Sequence, residues 1–573
     1  MSRRKINVGV YLSAIVFLAL TCGGIDFASA APLDLTTPTV YHIRLGEVDL
    51  SVFDNARNPG RIASVAMGDV NGDGLADLLL GAPYAYGFQA VGPPEGMVYV
   101  VYGGFSPASV SRLDLTLTTS DTLDPALSSL AYPGATPPGV VGFQVEGELR
   151  DMRFGSALAS GDFDGDGIED FAIAAPRRLT DEVAGRVYVI KGDPVMLYMT
   201  DLTGLRQFGR LITVIGPGRV SDTYFGESLL FLDFDNDGRE DLVIGSPRAG
   251  EGGEVCVLYG REFTSATIVA DEVPTTDTLF AVIEAQEPGD RLGAALAAGD
   301  LSGDGRGDLV VGASLADSAG QDVGKLYAFF GADRDTTAGL PLPSRVALTT
   351  SAATLIVVGP NANEAMGSAV AVGDFDGDGL DDVAVGAPFA SSDSHAGVGK
   401  TYLLYNDGKL TTGPEVIVPD SATSGVAVFI GPTANARVGS SLAAGQFDGD
   451  GLDDLFVGVP TIESEGGPQV TGAVFAVLGR DASERPHGEI LLNGGPGSVA
   501  PDLTIWAGDW GDRLGHDMAL GQFDGSGGLD LFVCGDPVAE GRHGSAWLFL
   551  GRDLGGSFPP VLGVRRSSWN RYW

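Results

Sequence analysis

Residues 373–389 read GDFDGDGLDDVAVGAPF, with the carboxylates Asp374, Asp376, Asp378 and Asp382 followed at once by a short apolar run and Gly386-Ala387-Pro388. Counted from Asp374, these aspartates stand at positions 1, 3, 5 and 9, with Gly379 at position 6. That is the front half of a calcium loop, in which alternate side chains aim at one hard cation and a glycine lets the chain turn back on it. Position 12 is Val385 and not the glutamate that closes an EF-hand, and a strand-like run follows where a helix should be. The loop therefore belongs inside a β-hairpin, and a divalent cation would reconcile its crowded charges.

The loop returns in register. Copies begin GDVNGDGLADLLLGAP at Gly68, GDFDGDGIEDFAIAAP at Gly161, LDFDNDGREDLVIGSP at Leu232, GDLSGDGRGDLVVGAS at Gly299, GQFDGDGLDDLFVGVP at Gly445 and GQFDGSGGLDLFVCGDP at Gly521. With the opening stretch that makes seven, spaced near seventy residues except for a longer first interval. A second strand-like run follows each copy, starting at Met97, Arg186, Glu254, Lys325, Lys400, Ala473 and Ser545, and a third leads back toward the next loop from Leu211, Thr354 and Val426. Strand, acidic loop, strand, glycine-rich turn, strand, turn, strand is a four-stranded antiparallel meander with little room for helices. Seven such units predict an all-β chain folded as a seven-bladed β-propeller, which leaves only short protected edges; an open solenoid is the alternative. The ends of the repeat decide for the ring. The last copy lacks a fourth strand after SAWLFLG, while LSVFDNA from Leu50 stands ahead of the first copy and could complete the last blade.

These residues carry a family resemblance. The chain resembles the FG-GAP repeat family, which includes the N-terminal propellers of integrin alpha subunits. Phe154-Gly155 and Phe225-Gly226 keep the FG pair, Leu292-Gly293, Met366-Gly367, Val438-Gly439 and Leu514-Gly515 are apolar-Gly variants, and Gly81-Ala82-Pro83 keeps the GAP. The first copy departs from it, with Arg61-Ile62-Ala63-Ser64 and no FG pair. The resemblance implies the propeller, its calcium, and a binding face opposite the calcium loops.

The loops can be ranked by their oxygens. Copies two, three and five have four aspartates each: Asp162, Asp164, Asp166 and Asp170; Asp233, Asp235, Asp237 and Asp241; Asp374, Asp376, Asp378 and Asp382. They should bind tightest. Copy one offers Asp69, Asn71, Asp73 and Asp77, and copy four Asp300, Ser302, Asp304 and Asp308, so both should bind more weakly. Copy six has Gln446 at position 1 but keeps Asp448, Asp450 and Asp454, whereas copy seven has Gln522 and Ser526 with only Asp524 and Asp530. Five to six Ca²⁺ ions are expected. Arg306-Gly307-Asp308 spells an adhesion tripeptide, but Asp308 is a ligand position of the fourth loop and is not available to dock a receptor.

Composition bounds the partners. A net charge of −40 makes nucleic acid and anionic membrane surfaces poor partners and cations good ones. Arg3, Arg4 and Lys5 precede an apolar stretch to Leu20, and Ala28-Ser29-Ala30 offers a cleavage site before Ala31, so residues 1–30 read as a signal peptide. A twin-arginine signal, or a lipoprotein box ending at Cys22, is a variant of that reading. The expected organisation is then a lead of 31–49, a propeller of 50–551 with an insertion at 104–142, and a tail of 552–573, in a secreted, periplasmic or surface monomer whose mature chain has no transmembrane span. Cys256 and Cys534 sit in apolar runs of different repeats and read as buried thiols, with a disulfide as the alternative.

His42, His395, His487, His516 and His543 are scattered, and no nucleophile elbow or zinc-protease motif occurs. The expectation is therefore not an enzyme but an exported calcium-binding propeller acting as a binding or adhesion module for a protein or glycan. The alternative is a polysaccharide hydrolase or lyase on the same scaffold. The candidate ligand face carries Tyr84, Tyr86 and Phe88 and the turn SSDSHAG from Ser391, although these rings could equally serve to pack their own turn.

Overall fold

A computed structural model describes residues 40–44, 62–85, 94–104, 142–177, 184–194, 202–217, 223–264, 266–270, 280–285, 287–318, 321–333, 342, 345–348, 353–408, 415–419, 425–462, 471–492, 501–507, 513–525, 528–535, 545–549, 551 and 561–564. The signal-peptide reading, Cys22, the 50–56 run, the body of the 104–142 insertion, Tyr86, Phe88 and Ser526 lie outside them.

Seven sheets form, each an antiparallel meander of four strands with the acidic loop between its first and second strands. In blade 5 these are Ala369–Gly373, Asp382–Ala387, Lys400–Leu404 and Val426–Ile430. The first strands of successive blades touch one another all the way round, including Ser64–Gly68 of blade 1 against Leu514–Gly521 of blade 7. This is a closed seven-bladed propeller with the first strands around its axis.

The second strand is the core of every blade: all six residues of each, from Asp77–Ala82 to Asp530–Gly535, are buried. The described residues form no single central core. The buried apolar residues fall into seven clusters, each joining two neighbouring blades, and the one between blades 7 and 1 packs Phe523, Phe532 and Leu548 against Ile62, Leu78 and Leu80. Stability therefore depends on the seams between blades, each of which removes a sheet face from water. Cys256 and Cys534 are buried in blades 3 and 7, where they pack as small apolar side chains.

The motif glycines explain how closely the blades approach. Gly155 of the FG pair has φ 87° and rests its carbonyl on Gly81 of the preceding blade's GAP, where an added Cβ would collide with the Gly155 oxygen. The Ser64 hydroxyl donates to the same carbonyl at 2.8 Å. In the first copy Ile62 fills the buried FG position, and Ala63 N–H donates to Gly81 O at 2.9 Å, so that copy keeps an apolar-small pair without the glycine.

Two features differ from the sequence reading. The strand that completes the last blade is Val40–Arg44, paired antiparallel with Ser545–Phe549, and not the run from Leu50. In addition, five blades gain a fifth, parallel edge strand from the next blade's third-to-fourth connection, as when Arg345–Ala347 pairs with Phe280–Glu284. Val561–Val564, inside the expected tail, plays that part for blade 6. These additions cover outer edges that would otherwise offer open backbone groups. The equivalent connection in blade 2 contains a short helix, Leu202–Gln207.

Candidate metal centres and the opposite face

Loops 1 to 5 are held by their first and last carboxylates, and loops 6 and 7, with Gln446 and Gln522 at position 1, by the last. In blade 2, Asp162 accepts from the N–H groups of Gly165, Asp166 and Gly167 at 2.8–3.0 Å, which winds the loop around its own first residue. Asp170 at position 9 is fully buried and accepts from Phe163 N–H at 3.0 Å and from Gly192 N–H at 2.8 Å. It thereby ties the loop to the end of the third strand. Asp77, Asp241, Asp308, Asp382, Asp454 and Asp530 are buried in the same place, each accepting from the backbone just past its third strand.

Burial, added to the charge of neighbouring carboxylates, pushes Asp77, Asp170, Asp241 and Asp382 up to about 8. The same causes take Asp454 and Asp530 to about 7 and Asp308 to about 6. Carboxylates raised in this way are arranged for a cation that would cancel the repulsion.

The loops also connect the blades. Glu169 N–H donates to Asp69 O, Glu240 to Asp162, Asp381 to Asp300, Asp453 to Asp374, Leu529 to Gln446, and Ala76 to Gln522, so position 8 of one blade bonds position 1 of the one before. The last of these crosses the closing seam. Acidic side chains reinforce three of the links, since Glu240, Asp381 and Asp453 accept from the N–H groups of Asp162, Asp300 and Asp374 at 2.8, 2.7 and 3.1 Å.

Carboxylate oxygens converge in the loops with four aspartates. Asp162, Asp164 and Asp170, Asp233, Asp235 and Asp237, and Asp374, Asp376 and Asp382 each bring three oxygens within 4.8 Å of one another. Oxygens bound to one calcium at about 2.3–2.6 Å stand up to about 5 Å apart, so the donor sets fit a hard divalent cation. Buried oxygens with no hydrogen-bond partner among the described residues point the same way: Asp164 Oδ1 in loop 2, and Asp73 Oδ2 and Asp77 Oδ2 in loop 1. Loops 1, 4, 6 and 7 form no such triad among the described residues. Asn71 instead donates to Asp77 at 3.2 Å, Ser302 to Asp300 at 3.3 Å, and Asp448 N–H and Asp524 N–H bond the position 9 carboxylates of loops 6 and 7.

Sequence reasoning missed several groups here. Asp407, just past the third strand of blade 5, joins Asp376 and Asp378 in a second cluster. Lys191 pairs with Asp164 and Asp166, Arg485 with Asp376 and Asp407, and Arg306 with Asp304 and Asp333. The Asn406-Asp407-Gly408 turn was the available signal for Asp407; the long cations come from other parts of the chain and leave none. Arg306 and the buried Asp308 are both engaged inside the fold, which removes the adhesion tripeptide as a docking motif.

On the opposite face lie the turns between second and third strands and those that feed each first strand. Tyr84 is exposed there, with the Arg153 guanidinium 5.6 Å from its ring centre. The turn from Ser391 is largely exposed and braced by Ser392 N–H donating to His395 O at 2.9 Å.

The FG-GAP repeat family matches residues 62–101, 154–190, 225–258, 292–329 and 366–404, which are the first three strands of blades 1 to 5. The chain is an FG-GAP β-propeller. The phosphatidylinositol-glycan-specific phospholipase D of Mus musculus is 35% identical over 87% of this chain and 52% of its own length. That of Bos taurus is 26% identical over 83% of this chain and 50% of its own length. Integrin alpha-PS2 of Drosophila melanogaster is 32% identical over 41% of this chain and 15% of its own. This FG-GAP propeller thus spans about half the length of the phospholipase relatives it matches. The expectation that the chain is not an enzyme does not stand, because relatives aligned along most of it carry an enzyme's name. Integrin alpha subunits among the relatives support a binding module, and no helix among the described residues is long and apolar enough to cross a membrane.

Proposed function

We propose that this chain is the recognition propeller of an exported protein of the phosphatidylinositol-glycan-specific phospholipase D type. Calcium in the acidic loops holds its blades together, and it binds a protein or glycan partner on the face opposite those loops. The observation that carries the reading is the coupling of metal ligands to the seams. Of the three loops that gather carboxylates around a common point, loops 2 and 5 bond the next blade through their first residues, Asp162 and Asp374, and loop 3 through its second, Phe234, whose carbonyl accepts from Ala332 N–H at 3.2 Å. A cation there stabilises the ring and leaves the other face to present variable turns.

In loops 2, 3 and 5 the aspartates above would hold the ion, and its role is charge neutralisation of the loop. Loops 1 and 4, with Asp69, Asn71, Asp73 and Asp77 and with Asp300, Ser302, Asp304 and Asp308, are the weaker candidates. Loop 6, with Asp448, Asp450 and Asp454, is the sixth. Export through residues 1–30, with the mature chain secreted, periplasmic or at the surface, suits extracellular calcium.

The test is binding to vesicles that display a phosphatidylinositol-glycan-anchored protein, measured by flotation in 1 mM calcium (a concentration of about the Kd of extracellular calcium modules) and in chelator. Saturable binding in calcium, lost in chelator and weakened by Tyr84→Ala at unchanged melting temperature, supports the reading. No binding, or binding indifferent to both calcium and Tyr84, overturns it.

A further inference from the structure

The turns that feed the first strands share an unusual backbone. The residue before the FG position has a positive φ in six blades: Arg153 at 59°, Tyr224 at 52°, Arg291 at 58°, Ala365 at 53°, Arg437 at 58° and Arg513 at 49°. Non-glycine residues seldom adopt this region, and a set held there by the fold aims its side chains in a repeated direction. Four of the six are arginines. Arg248 reaches the same face from the turn after the second strand of blade 3.

Most other cations among the described residues are ion-paired, Arg239 and Lys325 excepted. Lys191, Arg306, Arg345, Arg480 and Arg485 are each held by a carboxylate. Among the described residues, Arg153, Arg248, Arg291, Arg437 and Arg513 have no carboxylate partner. The nearby acids Asp151 and Glu95 are engaged by Arg177 and Arg150. Three of the five lie over aromatic rings instead: Arg248 4.0 Å from the Tyr224 centre, Arg437 5.0 Å from Phe389 and Arg153 5.6 Å from Tyr84. A ring fixes a guanidinium through its π face and consumes none of its N–H donors, so the fork stays available to an anion. Arg513 Nε is buried without a hydrogen-bond partner among the described residues.

We propose that this face binds an acidic polysaccharide, its carboxylate or sulfate groups forked by Arg153, Arg248, Arg291, Arg437 and Arg513 and its sugar rings lying on the exposed Tyr84 and Phe389. The inference rests on the recognition reading above and adds the chemical class of ligand. Unpaired guanidiniums supply the anion sites, and exposed rings beside two of them supply apolar platforms of the kind sugars stack on. Arginines spread over five blades suit a polymer with repeated charge. The chain's net charge of −40 opposes any polyanion at long range. At physiological salt, however, screening confines that repulsion to about 8 Å, and the carboxylate-rich loops stand on the other face.

The experiment uses the full chain in calcium, with heparin, polygalacturonate, neutral dextran and poly-glutamate as probes, measured by biolayer interferometry. Arg153→Gln/Arg291→Gln/Arg513→Gln is compared with wild type and with Arg345→Gln, a paired arginine on a blade edge. The expected result is binding to heparin or polygalacturonate, whichever carries the preferred anion, that weakens with salt, drops at least tenfold in the triple variant at unchanged melting temperature, and is unaltered by Arg345→Gln. No binding to either acidic polysaccharide, equal binding to dextran, or full binding by the triple variant overturns the inference. Binding to poly-glutamate alone also overturns it and points to an acidic protein. Calcium-dependent vesicle binding that depends on Tyr84 but not on these arginines would leave the recognition reading standing and remove only the acidic-polysaccharide inference.

Discussion

Gly386→Ala isolates the contact that gives the repeat its GAP glycine. An ideal Cβ on Gly386 would stand under 3.0 Å from Gly439 O and at 3.0 Å from Gly439 C, and both atoms are backbone of the next blade. Neither can rotate away, so blades 5 and 6 must separate. A gap of 0.5–1 Å forfeits about a quarter to a half of each dispersion contact it opens. The seam affected is the one that packs Phe375, Leu403, Phe429, Val457 and Phe475. The cost should reach the upper end of overpacking, about 3 kcal/mol.

Gly209→Ala is the control. Unlike Gly386, Gly209 has a positive φ, 73°, and nothing lies within 4 Å of its added Cβ. Only the left-handed backbone is penalised there, by about 1–2 kcal/mol, partly offset by a less flexible unfolded chain. Thermal and urea unfolding of both variants in calcium should rank Gly386→Ala well below Gly209→Ala, with native-like circular dichroism at 20 °C. Equal losses, or an undisturbed Gly386→Ala, would show that the blades do not meet through these glycines.

Three other outcomes follow from the same geometry. Chelation should lower the melting temperature, since millimolar calcium on sites with dissociation constants of about 10⁻⁴–10⁻³ M contributes about 0.4–1.4 kcal/mol each; Asp376→Ala should reproduce part of that loss and Asp524→Ala little of it. In chelator, burial raises the carboxyls of Asp77, Asp170, Asp241 and Asp382 to about 8, well above the ordinary aspartate range of about 4, so the folded state binds their protons more tightly than the unfolded state. Their stabilisation is complete below pH 4 and is lost as pH rises toward 8. Melting curves at pH 5, 6.5 and 8 should show the calcium-free fold weakening and the calcium-induced gain growing; a calcium-free fold that strengthens over this range contradicts the assignment. Finally, the exported chain should begin at or near Ala31 by N-terminal sequencing, and a lipid-modified start at Cys22 would replace that reading.

Much of the fold was legible because the repeat concentrates its information in backbone requirements. The third strands begin where the apolar runs start, at Met97, Arg186, Glu254, Lys325, Lys400, Ala473 and Ser545. The oxygen count singled out the three loops in which carboxylates converge. What escaped was decided by partners remote in the chain. The Leu50 run reads as the closing strand, whereas Val40–Arg44, inside the expected lead, is identified only by its register against Ser545–Phe549. Arg345–Ala347 and Glu415–Ile417 are three-residue edge strands, too short for alternation to register. Lys191 and Arg485 reach their carboxylates across folded distance, and a left-handed arginine before an FG pair looks like any other arginine. The likeness to a phospholipase was invisible for another reason: repeat motifs encode the propeller and carry no trace of the activity in a relative's name.

The central claim is that calcium, bound in the acidic loops, holds the ring together. Equilibrium dialysis of the purified chain against ⁴⁵Ca, paired with the same measurement on Asp164→Ala/Asp235→Ala/Asp376→Ala, tests it most directly. Five to six ions per wild-type chain, about three fewer in the triple variant, and a matching fall in melting temperature are predicted. Wild-type protein that binds no calcium, or a triple variant that keeps the full complement, would contradict the account.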